Sequence, residues 1–155
     1  MRPPAEPTGT ATRRAALGVL DAVLRQGVPL EAALGRAGRG LIPADRGLAH
    51  AIAAATLRWL EPLDALIDSA TPRPLPHDAK ARMVLRIALV QALHLGTPAH
   101  AAIATSLPLV AGGPRRLVHG VFGTLIRRGA VLPDATTLPP AAAGRWADQW
   151  GAAMV

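Results

Sequence analysis

Residues 71–96 read TPRPLPHDAKARMVLRIALVQALHLG, and the fold turns on this stretch. Each of its three prolines lacks an amide donor and restricts the residue before it, so Thr71 to Pro76 cannot be helical. Beyond it, Asp78 is placed to cap a helix that runs to Leu95 and stops at Gly96, with Pro98 after it. Apolar residues occupy most of that helix's circumference, which puts it at the centre of a bundle. The prolines therefore form a midpoint linker between two helical halves.

Outward from the linker, the first half shows helical spacing throughout. From Thr12 to Gln26, Ala16, Leu17, Leu20, Val23 and Leu24 form an apolar stripe opposite Arg14, Gly18, Asp21 and Arg25. Gly27 and Pro29 end this helix, and a short one over 29–38 is broken by Gly38-Arg39-Gly40. Pro43 opens a longer helix through Leu60 with Leu48, Ile52, Ala55 and Trp59 as its stripe and Arg46, His50 and Arg58 opposite. Pro62 to Ala70 reads as another, with Leu63, Leu66 and Ile67 inside and Asp64 and Asp68 outside.

In the second half, a helix from Pro98 toward Val110 should kink or end at Pro108. Gly112-Gly113 is a turn, since no strand precedes it and no Gly-Lys-Ser/Thr follows. A last core helix carries Leu117, Val118, Val121, Phe122, Leu125 and Ile126 before Gly129. Residues 130–140 are a proline-punctuated linker, and 141–151 can form one more helix with Trp146 and Trp150 on one face. No segment alternates with period two, so a sheet is excluded and the class is all-α.

The 155 residues make one domain, with 17 basic and 10 acidic side chains for a net charge of +7. Positive charge is concentrated before residue 129, where the balance is +8, and the remaining tail carries −1. A polyanionic partner fits this distribution. The absence of cysteine removes disulfides, thiolate metal sites and thiol nucleophiles together. No apolar run approaches the roughly 18 to 20 residues of a membrane span, and residues 1–12 lack a secretory apolar core. A cytoplasmic, monomeric protein is expected.

Three arginine pairs are the candidate binding residues: Arg13 and Arg14 at the start of the first helix, Arg115 and Arg116 at the start of the last core helix, and Arg127 and Arg128 at its end. Basic residues at a helix N-terminus oppose the macrodipole, so another role favours them. Guanidinium forks bind phosphate bidentately and stack on unpaired bases, the chemistry of looped RNA recognition; the competing reading is a solvated surface. His94, His100 and His119 lack the spacing and carboxylate company of a metal site, and none is assigned. Trp146 and Trp150 are packing anchors for a neighbouring domain, or a stacking platform. No catalytic triad, paired-carboxylate motif or nucleotide fingerprint is present.

Several runs together resemble a known family. They are Arg14-Ala15-Ala16-Leu17 with Val19-Leu20 and Val23-Leu24, Pro43-Ala44-Asp45-Arg46-Gly47-Leu48-Ala49, Leu85-Arg86-Ile87-Ala88-Leu89 with Gln91 and Leu93, Pro98-Ala99-His100-Ala101-Ala102-Ile103, and Val121-Phe122 with Leu125-Ile126-Arg127-Arg128. The pattern, over residues 11–128, resembles the NusB-like domain, and more closely the version at the N-terminus of bacterial 16S rRNA cytosine-C5 methyltransferases of the Sun/Fmu type. Trp146-Ala147-Asp148-Gln149-Trp150-Gly151 is similar to the segment that leads toward the catalytic part of those enzymes. Ala104-Thr105 and Gly123 depart from the family, which usually carries Asn-Glu and Asn there.

The resemblance implies an all-α bundle of about seven helices in two halves, 11–70 and 77–128, followed by a linker helix. Residues 1–10 are expected to be disordered, and the resemblance implies a linker over 129–155 leading to a methyltransferase domain of the same polypeptide. It also implies contact with 16S rRNA through Arg13 and Arg14. S-adenosylmethionine is expected for the parent enzyme and no cofactor for this domain; enzymes of that type attack cytosine with a cysteine thiolate and this chain has none, so no catalysis is expected within it. The alternatives are a free-standing antitermination factor and a helical protein-interaction module without RNA binding.

Overall fold

The computed structural model describes residues 7–133. Among these are seven α-helices and one 3-10 turn: α1 (Thr10–Gln26), α2 (Leu30–Ala37), α3 (Pro43–Arg58), α4 (Leu60–Ser69), α5 (Lys80–Leu93), α6 (Ala99–Ser106), the turn Leu107–Leu109, and α7 (Gly112–Arg127). The expected all-α architecture is what forms. The expected linker helix, with Trp146 and Trp150, lies outside the described residues, as do residues 1–6.

α5 occupies the centre: every residue from Ala81 to Gln91 is buried, and α5 packs against α1, α3, α4, α6 and α7. Thr71 to Ala79 is non-helical. α1 packs on α2 and α3 from the first half and on α5 and α6 from the second, so it closes both halves together.

Several boundaries differ from expectation for identifiable reasons. The long third helix divides at Trp59, because Pro62 has no amide to give the Arg58 carbonyl and its ring crowds that oxygen. Asp78 does not cap α5; a turn joins the Ala79 amide to the Pro76 carbonyl, and Ala79 itself takes the cap position. α6 ends at Ser106, where Pro108 enforces the 3-10 turn. Helix α1 begins at Thr10, whose side chain is already fully buried.

Two leucines expected inside are exposed, Leu24 and Leu48. Of the expected α3 stripe, Ile52, Ala55 and Trp59 are buried, joined by Ala49, Ala53 and Thr56 in place of Leu48, and Thr56 folds its hydroxyl back to the Ile52 carbonyl at 2.7 Å. This face is rich in small residues, as is that of its neighbour α1, where Ala15, Ala16, Val19 and Leu20 are buried. Small side chains let the two backbones approach, and a leucine stripe would hold them apart. No helix among the described residues is long and apolar enough to cross a membrane.

Candidate nucleic-acid interface

Adjacent positions of an α-helix point about 100° apart, so the two members of an Arg-Arg pair can differ in burial. In α1, Arg14 faces outward and Arg13 inward. Arg13, expected on the RNA surface, is 8% exposed. Its Nε donates to Gln91 Oε1 at 2.8 Å and its Nη1 to the Gly9 carbonyl at 3.4 Å. Gln91 in turn donates to the Ile87 carbonyl at 2.9 Å and to Ser106 Oγ at 3.5 Å. The result is a buried polar chain that ties α1 to α5 and α6. Burial lowers the Arg13 pKa, opposed by the charge of Asp45. Gly9 makes room for this arrangement: its φ is +98°, and a Cβ there would stand 2.7 Å from Arg13 Nη1.

Arg14 stands over two clefts. The first, about 550 Å³, lies between the start of α5 and the start of α7, and its walls include Leu75, Lys80, Val110, Gly113 and Leu117. The second, about 380 Å³, continues down α1 past Leu17, Gly18 and Asp21 to Arg25. Arg14 and Lys80 line both, so the two clefts adjoin at a pair of basic residues and together form a trough. Asp21 is the carboxylate lining it, and Arg25 neutralises Asp21 at 2.9 Å. The first turn of α7 opens on the upper end with Gly113 and Pro114, so the positive pole of a 16-residue helix adds to the field there.

Arg115 and Arg116 are exposed and come directly after those lining residues. Arg127 and Arg128 are exposed too, yet they lie at the opposite end of α7, about 18 Å away along the helix axis. Arg128 donates to the Ser69 carbonyl at 3.4 Å. The three expected pairs therefore do not converge: Arg14 borders the trough, Arg115 and Arg116 adjoin its upper end, and Arg127 and Arg128 stand apart. Lys80 was not among the expected residues. A lone lysine placed just after a proline linker, at the head of a buried helix, was the available signal.

A second set of arginines is hidden in the sequence by the apolar character of α5. Arg82 and Arg86 are each 2% exposed and face α4. Arg86 grips Asp64 with Nε at 2.8 Å and Nη2 at 3.0 Å. Arg82 bonds Asp64 at 3.2 Å, Asp68 at 2.7 Å, and the Leu75 carbonyl of the linker at 2.7 Å. Burial disfavours the Arg82 charge, but the hydrogen bonds to Asp68 and Asp64 overcome it and leave its pKa above the ordinary value. Asp64, expected outside, is thus turned inward between two guanidiniums. The signal lay in two i,i+4 pairs of opposite sign on either side of the linker, Asp64 and Asp68 against Arg82 and Arg86.

The family departures have local outcomes. Thr105 bonds the Ala101 carbonyl of its own helix at 2.8 Å, and Gly123 leaves space that Arg127 fills.

Comparison with known proteins adds two findings. The NusB family matches residues 10–114. The ribosomal RNA small subunit methyltransferase B of Xanthomonas campestris pv. campestris is 37% identical over 135 residues, which cover 82% of this chain and 31% of that relative. The chain therefore spans about a third of the length of the curated relative it matches.

Proposed function

Because this chain belongs to the NusB family, we propose that it is the RNA-binding domain of an S-adenosylmethionine-dependent 16S rRNA cytosine-C5 methyltransferase. In this reading residues 129–155, with Trp146 and Trp150, lead to a catalytic domain in the same cytoplasmic, monomeric polypeptide. The similarity to a small-subunit rRNA methyltransferase of about three times the length supports it. So does the lack of any cysteine nucleophile in these 155 residues, which leaves the chemistry to another part of the protein.

The observation that carries the reading is the trough shared by Arg14 and Lys80. An unpaired strand lies along α1 with phosphates against Arg14, Lys80 and the opening amides of α7, while Leu17, Leu75 and Leu117 offer apolar walls to the bases. Arg115 and Arg116 extend the positive field at the upper end. Arg13 makes no RNA contact and instead holds α1 in place. The domain orients the strand, and the target base is delivered to the separate catalytic part.

Titration with single-stranded rRNA fragments at two salt concentrations tests this. Each single-strand phosphate contact contributes about 0.7 log units of affinity per log unit of salt. Arg14→Ala/Lys80→Ala should bind more weakly and flatten the salt slope by roughly 1.4. Equal affinity and slope for the variant and the parent chain would refute the trough as the binding site.

A further inference from the structure

No Asp or Glu occurs between Asp78 and Asp134. The whole of α5, α6 and α7 is consequently free of carboxylate side chains. A shallow groove of about 260 Å³, with no lining residue in common with the trough, runs between α6 and α7. Its floor is apolar, formed by Ile103, Phe122 and Ile126, and its rim carries His100, His119 and Arg127.

Gly123 lies in this groove and lacks a backbone reason to be glycine, since its φ is not positive. A glycine inside a helix is destabilising relative to alanine. What it allows is the position of Arg127: a Cβ at 123 would stand 2.9 Å from Arg127 Nη1. The guanidinium lies back along its own helix, where Nη2 reaches Thr124 Oγ1 at 3.5 Å. An exposed cation is thus held beside the apolar floor.

An apolar floor flanked by two imidazoles and a guanidinium, with no carboxylate among the lining residues, has the chemistry to take an unpaired base and its phosphate. Imidazole and guanidinium planes stack on base faces, and the guanidinium fork takes the phosphate. We propose that the α6–α7 groove holds one unpaired nucleotide of the bound strand, as a second contact point separate from the trough; this rests on the RNA-binding reading above. The two arginine pairs of α7 stand about 18 Å apart along its axis. A strand stacked at the roughly 3.4 Å per-strand rise of a duplex covers that distance in about five steps, so a twelve-mer spans it with stacking intact.

The test uses single-stranded RNA of four and of twelve nucleotides, titrated at low salt into the full chain while the ring signals of its histidines are followed. The twelve-mer should shift His100 and His119, and leave His50 and His77 in place. His119→Ala/Arg127→Ala should weaken the twelve-mer roughly tenfold, the size of one lost stacked base, and leave the four-mer unchanged. Gly123→Ala should displace Arg127 and weaken the twelve-mer likewise without lowering Tm, which separates a binding loss from a folding loss. If the twelve-mer binds through Arg14 and Lys80 but neither ring moves and the groove variants keep full affinity, the groove proposal is overturned and the trough stands. If no RNA binds the parent chain, the RNA-binding reading and the groove proposal both fall. Rings that move with polyglutamate and not with RNA would make this a protein-docking groove, which also overturns it.

Discussion

At the residue scale, Arg13 and Arg14 show how one sequence motif divides into two roles. Their burial differs because helix geometry turns neighbours about 100° apart, and the inward one found Gln91, 78 positions away. In the sequence Gln91 reads as an interruption of an apolar run; only the packed structure makes it the acceptor for Arg13. That pairing was illegible because nothing local links the two residues. Arg13→Ala leaves the buried Gln91 oxygen without its donor, and the loss of such a charged hydrogen bond should cost about 2 kcal/mol. Urea unfolding would show this as a lower midpoint at constant m, with RNA affinity of the folded fraction retained. Arg14→Ala should lower the midpoint less than Arg13→Ala does and weaken RNA binding.

At the element scale, the linker and α5 carry the fold's polar keystone. Helix starts and stops were legible because proline and glycine punctuate them: Pro43, Gly27 and Pro108 act where steric rules place them. The inward turn of Asp64 was not, since an Asp on a short amphipathic helix reads as solvent-facing until two arginines from another helix cover it. Asp64 is 13% exposed and bonded to both guanidiniums, whereas Asp68 is 52% exposed and meets one. Removing the first leaves two buried cations without their shared partner, and breaking such a pair costs about 3 to 5 kcal/mol. Removing the second should cost less than about 1 kcal/mol, because water already screens it. Thermal unfolding of Asp64→Ala and Asp68→Ala, compared side by side, measures the difference; equal losses would mean that the network does not join α4 to α5 as described.

For the whole molecule, charge distribution organises function. The net charge of +7 and its concentration before residue 129 were visible from composition. Which arginines contribute to the outer field was not, because Arg13, Arg82 and Arg86 are spent inside. What remains outside is a basic trough along α1 and a run of helices, α5 to α7, without a carboxylate, a distribution that suits a polyanion. The fold class was legible from apolar periodicity and the proline linker, which act locally. The site required knowing that Lys80 comes to lie beside Arg14, a juxtaposition made only when α1 closes against α5.

RNA binding in this trough is the proposal on which the others depend. The most direct measurement is the map of backbone amide shifts on adding a single-stranded rRNA fragment at low salt. The largest shifts should fall on residues 14–25 of α1, on Lys80, and on 110–117 around the start of α7. Saturating RNA that leaves those three segments unmoved while shifting another face would contradict it.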